Sequence, residues 1–359
     1  MFYKRLLSLL VVLWMIFLAS LLSAEENAKQ SFAGQTLQIL TWSEYLDQQL
    51  IDEFEKTYQV KLKFTYFDSD SERDDIIVQH GLTGFDIAIV DTLKTSEYIR
   101  LGWASALKKN LLPNVSHIDD DCYQHNDNLR NYTVPYFRGS LGIAYRQDLV
   151  PQKIDSWAQI YQPDEALRGK IMMINDAREL LSPGLIMLGK SVSSKDPADW
   201  RAAAEIAYQQ KPYVNEYGYS RLTEDAKLLT GEVWAAQIYN GDAIVLADMN
   251  PDLVFVNPLE GSNKWIDYWV VFKESRQPAL AHAFLNFIND PKNAANNAQE
   301  VYFSTCNQSA EKLLPAEFLN DERIYPSAEL TGNLQVFQPI PPRTWAEMNT
   351  LFSQIVDSF

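Results

Sequence analysis

The chain has 359 residues, of which 47% are hydrophobic, and 31 Lys and Arg residues against 47 Asp and Glu residues give a formal net charge of -16 at pH 7. This length and apolar content suit one large or two medium folded domains and exclude a mostly disordered chain. A surface this negative repels phosphate backbones, which argues against nucleic acid as a partner.

The first 24 residues predict a secretory signal peptide. Lys4 and Arg5 form a basic start, residues 6–22 are apolar apart from two serines, and small residues then precede an acidic pair. We therefore expect residues 1–24 to be removed and the mature chain to be exported. An uncleaved membrane anchor is the alternative, because an apolar run of about 17 residues is close to the length of a membrane span.

After the leader, the hydrophobic pattern alternates between the repeat of a strand and the repeat of a helix. The predicted elements are a strand over residues 35–41, a helix over 46–58, a strand over 60–67, a helix over 73–80 and a strand over 85–90. This alternation indicates a parallel α/β sheet, in which ligands bind at the carboxyl ends of the strands. The residues that directly follow each strand are therefore the first candidates for a site.

A second region of the same kind begins near Arg138. Its predicted elements are strands over residues 143–145, 170–174, 243–246 and 269–272, helices over 197–210, 220–230 and 279–288, and an amphipathic stretch over 345–356. Two α/β lobes are the expected architecture.

Cys122 and Cys306 are the two cysteines of the chain. Export places them in an oxidising compartment, where they can form one disulfide bond. Two separate thiols are the alternative, since distance in sequence does not decide between them. Two cysteines without a paired spacing do not predict a zinc site.

Motifs typical of enzymes are weak in this chain. Residues 184–191 match the phosphate-loop string G-x-x-x-x-G-K-S, but their large apolar residues continue a helical pattern and follow no strand directly, so we reject a nucleotide site. The histidines show no metal-ligand spacing and are His80, His117, His125 and His282. We expect no catalysis and no cofactor, with an enzyme that acts on a cationic substrate as the remaining alternative.

Acidic and aromatic residues occur together next to the predicted strand ends. They are Trp42, Ser43, Glu44 and Tyr45, then Asp91, Asp176, Glu179 and Tyr239, and finally Trp265 and Asp267. Each has an ordinary structural explanation, and Asp176 with Glu179 also fits a helix capping box. Together they suit a ligand with ammonium groups on a methylene chain, because carboxylates bind ammoniums and aromatic faces cover methylenes.

Longer motifs run along most of the chain, at residues 40–62 (LTWSEYLDQQLIDEFEKTYQVKL), 85–90 (FDIAIV), 134–145 (VPYFRGSLGIAY), 156–161 (SWAQIY), 174–181 (INDARELL), 239–243 (YNGDA) and 265–271 (WIDYWVV). In these motifs the sequence resembles the periplasmic polyamine-binding proteins of the spermidine/putrescine type. The resemblance implies an α/β, two-lobe periplasmic binding protein fold of type II, with a ligand cleft between the lobes and crossing hinge segments. It divides the mature chain into an N-terminal lobe, residues 25–138 plus 266–311, and a C-terminal lobe, residues 139–265 plus 312–359.

The resemblance also implies a set of ligand contacts. In this sequence they are Trp42, Ser43, Glu44, Tyr45, Asp91, Asp176, Glu179, Tyr239, Trp265, Asp267, Phe303 and Gln335. Of these, Glu44, Asp176, Glu179 and Asp267 would hold ammonium groups, and the aromatic residues would enclose the methylene chain.

Three of these positions depart from the family pattern. Asp91, followed by Thr92 and Leu93, stands where the family usually has Ser-Thr-Tyr, while Phe303 replaces a usual Tyr and Tyr239 a usual Trp. We therefore expect a triamine with altered amine spacing, such as norspermidine, to be preferred, and we expect Asp91 to set this choice.

The resemblance is compatible with two kinds of partner. The departures at the ligand site favour a monomeric sensor that docks on a membrane receptor with a cyclic-dinucleotide signalling domain. The alternative is a substrate-binding component that delivers a polyamine to an ABC permease.

Overall fold

The computed structural model describes residues 32–67, 69–124 and 126–357. The predicted signal peptide at residues 1–24 lies outside these ranges, and so does His125. Across the described ranges, no helix combines the length and the apolar character that a membrane span requires.

The described residues contain a large mixed sheet. Its strands are β1 (Thr36–Thr41), β2 (Lys61–Tyr66), β3 (Ile87–Asp91), β4 (Thr133–Arg146), β5 (Ile171–Met173), β6 (Val214–Tyr217), β7 (Ala235–Tyr239), β8 (Leu253–Val256), β9 (Ser262–Val271), β10 (Ser304–Thr305) and β11 (Leu334–Val336). The order along the sheet is β2-β1-β3-β9-β4-β7-β5-β6, with β8 and β10 paired to β4 and β11 paired to β9.

Helices connect most of these strands and cover the sheet. They are α1 (Gln48–Tyr58), α2 (Asp70–His80), α3 (Thr92–Leu101), α4 (Asp127–Tyr132), α5 (Ala158–Tyr161), α6 (Ala177–Met187), α7 (Pro197–Gln210), α8 (Lys227–Thr230), α9 (Asn240–Met249), α10 (Pro278–Ile288), α11 (Pro291–Val301), α12 (Gln308–Glu311), α13 (Ala316–Leu319), α14 (Ala328–Gly332) and α15 (Pro342–Val356).

Two long strands, β4 and β9, join the two halves of the sheet. On one side β1 pairs in parallel with β2 and β3, and on the other side β5 pairs in parallel with β6 and β7. Between them β9 runs antiparallel to both β3 and β4, and β4 runs antiparallel to β7. The predicted α/β fold, with two lobes and crossing segments, is confirmed.

Separate hydrophobic cores lie on either side of the crossing strands. The first side draws its core residues from 32–137 and 265–325, and the second from 141–256 and 340–356. Leu314 and Phe318 pack against the first core, although the sequence assigns residues 312–359 to the other lobe. Burial of apolar side chains on both sides supplies most of the drive for folding.

Three aspartates start helices that follow strands or loops of the two lobes. The side chain of Asp47 caps α1, that of Asp91 caps α3, and that of Asp176 caps α6, each by accepting hydrogen bonds from backbone N–H groups of the first turn. Short polar side chains at these positions satisfy N–H groups that have no partner within the helix.

Two predicted elements are wrong. Residues 243–246 belong to α9 and form no strand, and within 220–230 only the last four residues, Lys227–Thr230, are helical. A short apolar run such as Ala-Ile-Val-Leu fits a buried strand and a buried helix equally well, and here the strand of the unit is the preceding β7. The rejection of a phosphate loop is confirmed, because residue 184 already lies inside α6.

Cys122 and Cys306 form a disulfide bond, which decides the question that the sequence left open. The bond joins residues 184 positions apart and lies in the first core.

Candidate ligand-binding site

Strand-to-helix junctions from both lobes meet beside the crossing strands. β1 leads into α1 and β3 into α3 in the first lobe, while β5 leads towards α6 and β7 into α9 in the second. The side chains at these four junctions contact β9 or one another, as described below. The carboxyl ends of the parallel strands therefore form one site, as the sequence predicts.

Asp267 lies on β9, opposite Asp91 of β3 in the strand register. Its carboxylate is buried and accepts a hydrogen bond of 2.8 Å from the hydroxyl of Tyr45. Burial raises the pKa of Asp267 to about 8, and the nearby charges of Asp70 and Asp91 add to the effect. Within the described ranges, no ion pair reaches this carboxylate.

Glu179 lies in the first turn of α6 and is 5% exposed. Its Oε1 accepts a hydrogen bond of 3.3 Å from the Tyr239 hydroxyl, and its Oε2 accepts one of 2.6 Å from Nδ2 of Asn263. The same Nδ2 donates to Oγ of Ser182 at 2.6 Å. Burial, followed by the charge of Asp176, raises the pKa of Glu179 to about 7. The sequence predicts Glu179 and Tyr239 but misses Asn263, which holds Glu179 in place.

Asp176 is the N-cap of α6, so one half of the predicted capping box is confirmed. Its Oδ1 accepts the backbone N–H groups of Arg178 at 2.8 Å and of Glu179 at 3.2 Å. The other half is wrong, because the side chain of Glu179 turns to Tyr239 and Asn263 and does not reach back to the cap. That orientation leaves the Glu179 carboxylate on the side of the crossing strands.

Four of the predicted aromatic residues form a continuous row of ring contacts, here called the aromatic wall. The ring centroids are 5.7 Å apart between Tyr45 and Phe303, 4.9 Å between Phe303 and Trp265, and 6.2 Å between Trp265 and Tyr239, all at steep angles. Gly241 makes this packing possible, since a Cβ there would lie 2.2 Å from the Phe303 ring. The wall brings residues of both lobes together and offers apolar faces beside the carboxylates.

Asp242 belongs to the same site, although the sequence did not single it out. It lies in the first turn of α9, and burial together with the charge of Glu44 raises its pKa to about 7. Its charge also acts on Tyr45. The predicted strand over residues 243–246 conceals this helix start, which the Asn-Gly-Asp sequence after β7 indicates.

The remaining predicted contacts lie at the edges of the site. Ser43 and Glu44 are exposed in the loop after β1, where Glu44 has a φ of 55°. Trp42 packs on Phe67 with ring centroids 4.4 Å apart and has no ring contact with the aromatic wall among the described residues. The side-chain oxygen of Gln335 accepts the backbone N–H of Val192 at 3.2 Å. Direct contact of these residues with a ligand stays a prediction.

Both carboxylate oxygens of Asp91 already accept hydrogen bonds from other residues of this chain. Its Oδ1 accepts the backbone N–H of Lys94 at 2.6 Å, and its Oδ2 accepts Nη1 of Arg178 from the other lobe at 2.8 Å. The guanidinium of Arg178 is the main reason why the pKa of Asp91 is lowered to about 2 in spite of burial. Asp91 as a direct contact for a ligand ammonium stays a prediction.

The chemistry of the site is that of a cation receptor. Three carboxylates take no ion pair within the described ranges: those of Glu179 and Asp267, which are buried, and that of Asp242, which is half-buried. Tyr45 and Tyr239 of the aromatic wall donate hydrogen bonds to Asp267 and Glu179. A buried carboxylate without a cation is costly, so its proton or an external cation must compensate it. In the described part of the chain, no group of three or more His, Cys, Asp and Glu side chains has the arrangement of a metal site.

Comparison with known proteins places this site in context. The spermidine/putrescine-binding periplasmic protein 1 of Haemophilus influenzae is 27% identical over 328 residues, which is 88% of this chain and 90% of that protein. A solved structure from Listeria monocytogenes, described as a candidate spermidine/putrescine ABC transporter, is 34% identical, with a TM-score of 0.80 over 89% of this chain and 98% of that one. The spermidine/putrescine ABC transporter substrate-binding protein of Streptococcus pneumoniae is 28% identical, with a TM-score of 0.77 over 90% of this chain and 98% of that one.

The family assignment follows from a match over most of the chain. The profile described as bacterial extracellular solute-binding protein matches residues 49–324, which include most of both lobes and both crossing strands. The chain belongs to the bacterial extracellular solute-binding protein family.

Proposed function

We propose that this protein binds a linear polyamine in the periplasm and acts as the substrate-binding component of an ABC transporter. The observation that carries the proposal is a group of three carboxylates without ion pairs in the described part of the chain, those of the buried Glu179 and Asp267 and of the half-buried Asp242, next to the aromatic wall. Relatives named for spermidine and putrescine binding support the same ligand class.

A polyamine satisfies both parts of the site. Each ammonium supplies N–H donors and a positive charge to a carboxylate, and such charge-assisted hydrogen bonds are the strong ones in proteins. The methylene segments between the ammoniums lie against aromatic faces, which remove them from water and attract the adjacent cations. A monovalent metal ion would leave the aromatic wall without a role.

We propose transport, although the departures from the family pattern at the ligand site favour a sensory role. The relatives with which the chain was compared are named as periplasmic binding proteins or parts of ABC transporters, and they supply no support for a cyclic-dinucleotide receptor or for norspermidine as the preferred ligand. Four expectations therefore stay predictions: the cyclic-dinucleotide receptor, the preference for norspermidine, the monomeric state and the absence of catalysis. An ABC permease is the proposed partner.

Titration calorimetry on residues 25–359 with spermidine, norspermidine and putrescine tests the ligand class. We expect a dissociation constant of about 1 µM or tighter for at least one triamine, equivalent to about -8 kcal/mol. Glu179→Gln should weaken that binding, whereas Glu205→Gln, on the exposed face of α7, serves as the matched control and should not. Absence of binding by all three amines would refute the proposal.

Uptake of labelled polyamine by cells separates transport from sensing. Deletion of the gene should reduce uptake, and the wild-type gene should restore it while the Glu179→Gln gene should not. Unchanged uptake in the deletion strain, for a protein that binds the amine in vitro, would contradict the transport proposal and favour sensing.

A further inference from the structure

Arg178 reaches from one lobe into the acidic groups of the other. Its Nη1 lies 2.8 Å from Oδ2 of Asp91 and its Nη2 lies 3.0 Å from Oδ2 of Asp70, both in the first lobe. Its Nε lies 3.4 Å from Oδ1 of Asp176 in its own lobe. The side chain is only 11% exposed, so these ion pairs are largely removed from water.

The surroundings hold this guanidinium in place and keep it charged. The ring of Phe337 lies 5.4 Å from its central carbon, in the position of a cation–π contact. The charges of Asp176, Asp91 and Asp70 raise the pKa of Arg178 well above its usual value, although burial acts in the opposite direction. A planar guanidinium that spans two carboxylates is a pre-organised cation.

The carboxylates of the site thus fall into two groups. Asp70 and Asp91 are already compensated, by Arg178 and, for Asp70, also by the fully buried Arg73. Glu179 and Asp267 take no ion pair within the described residues, yet they adjoin the first group, since Glu179 follows Arg178 in the chain and Asp267 faces Asp91 across the strand register. The compensated group is therefore the continuation of the ligand site.

We propose that Arg178 occupies the position of a further ammonium group and thereby limits the ligand to the carboxylates that carry no ion pair. It is a specificity-determining residue that discriminates against a linear tetraamine in favour of a triamine. This inference rests on the proposed function, because it concerns which polyamine the same site accepts.

Charge balance in the site underlies this discrimination between ligands. In the wild type, a fourth ammonium finds the carboxylates of Asp70 and Asp91 taken and meets the positive charge of Arg178. Removing the guanidinium leaves the Asp91 carboxylate without an ion pair in the described part of the chain and leaves Asp70 with Arg73 alone. Both side chains are largely buried, so this loss is unfavourable. An additional ligand ammonium then compensates them, so the tetraamine gains affinity relative to the triamine.

The test measures the affinities of spermidine, a triamine, and spermine, a tetraamine, for matched variants. In Arg178→Gln we expect the ratio of spermine to spermidine affinity to rise at least tenfold over the wild-type ratio. In the triple variant Arg178→Gln, Asp70→Asn, Asp91→Asn the rise should disappear, because residues 70 and 91 no longer carry the negative charges that an additional ammonium would compensate. Arg178→Lys retains the charge and should restore a ratio near that of the wild type, and Arg201→Gln, in an exposed ion pair with Glu347, is the surface control.

The outcomes separate this inference from the proposed function. The role of Arg178 is overturned if the ratio of spermine to spermidine affinity in Arg178→Gln stays within twofold of the wild-type ratio. It is also overturned if the rise in this ratio persists in the triple variant. A wild type that binds spermine at least tenfold more tightly than spermidine overturns it as well, and this measurement requires no variant to fold. A wild type that binds no polyamine refutes the proposed function itself.

Discussion

Polyamine binding should strengthen as the pH rises from 6 to 8. In the ligand-free protein burial raises the pKa of Asp267 to about 8 and those of Glu179 and Asp242 to about 7, so in neutral solution Asp267 is mostly protonated and the other two are about half protonated. A bound ammonium favours the charged carboxylates and lowers these pKa values, so binding expels protons. The terminal ammonium groups of the ligand stay charged over this range, since aliphatic amines such as that of Lys have a pKa of about 10.4.

The size of the effect follows from the protons that must leave. Asp267, with a pKa of about 8, is about 99% protonated at pH 6 and about half protonated at pH 8, which alone weakens binding about 50-fold at the lower pH. If Glu179 and Asp242 also ionise on binding, each of them weakens binding by about a further tenfold at pH 6 relative to pH 8. The affinity should therefore fall by at least about 50-fold between pH 8 and pH 6, and by about 5,000-fold if all three groups ionise.

Titration calorimetry at pH 6, 7 and 8, in pairs of buffers with different ionisation enthalpies, measures both affinity and proton release. We expect about two protons released per ligand at pH 7, of which about one comes from Asp267. The matched variant is Asp267→Asn. It should bind the ligand more weakly at pH 8 and should release about one proton fewer per ligand than the wild type. An affinity that is constant between pH 6 and pH 8, or a net uptake of protons on binding, would refute this reasoning.

Further predictions concern affinity and stability. Glu179→Gln should weaken triamine binding by about 1.5 to 3 kcal/mol, the range for hydrogen bonds to charged groups, with little change in the melting temperature; unchanged affinity would remove Glu179 from the ligand contacts. Replacing Cys122 and Cys306, which are 184 residues apart, by serine should lower the free energy of unfolding by about 5 kcal/mol in the chain-entropy description of disulfides, measured by urea titration, and an equal midpoint would contradict it. Gly241→Ala should lower both the melting temperature and the affinity, because the added Cβ would lie 2.2 Å from the Phe303 ring.

The ligand-free protein should also show the cost of burying Asp267. Its folded-state pKa lies above the unfolded value, so the stability linked to this group is fully present below about pH 4 and is lost as the pH rises towards about 8. Asp267→Asn removes this loss. The difference in melting temperature between this variant and the wild type should therefore grow in favour of the variant from pH 5 to pH 8, and a constant difference would argue against the raised pKa.

Much of the architecture could be predicted from local patterns. The runs at 35–41 and 85–90 read as strands because they are apolar and short, and the structure contains β1 and β3 there. Since ligands bind where such strands end, the predicted neighbours Tyr45 and Asp267 meet in a hydrogen bond even though they are 222 residues apart. Local patterns therefore predict the edge of the sheet at which the site forms.

Contacts between distant segments could not be predicted in this way. Nothing in the sequence around Arg178 indicates that its side chain pairs with Asp70 and Asp91, because that pairing depends on how the lobes are placed about β4 and β9. Asp242 was missed for a different reason, since the apolar run after it has no period that separates a strand from a helix. The family resemblance supplied candidate positions, but it did not indicate which carboxylates already have a cation.

A crystal structure of the protein with spermidine at pH 8 tests the central claim most directly. We predict one spermidine against the aromatic wall, with its nitrogen atoms within about 3.2 Å of carboxylate oxygens of Glu179, Asp267 and Asp242, and with Arg178 still paired to Asp70 and Asp91. Two results would contradict the claim that these carboxylates form a polyamine site. One is spermidine bound elsewhere on the molecule, and the other is a cleft in which no ligand nitrogen contacts these carboxylates at saturating spermidine.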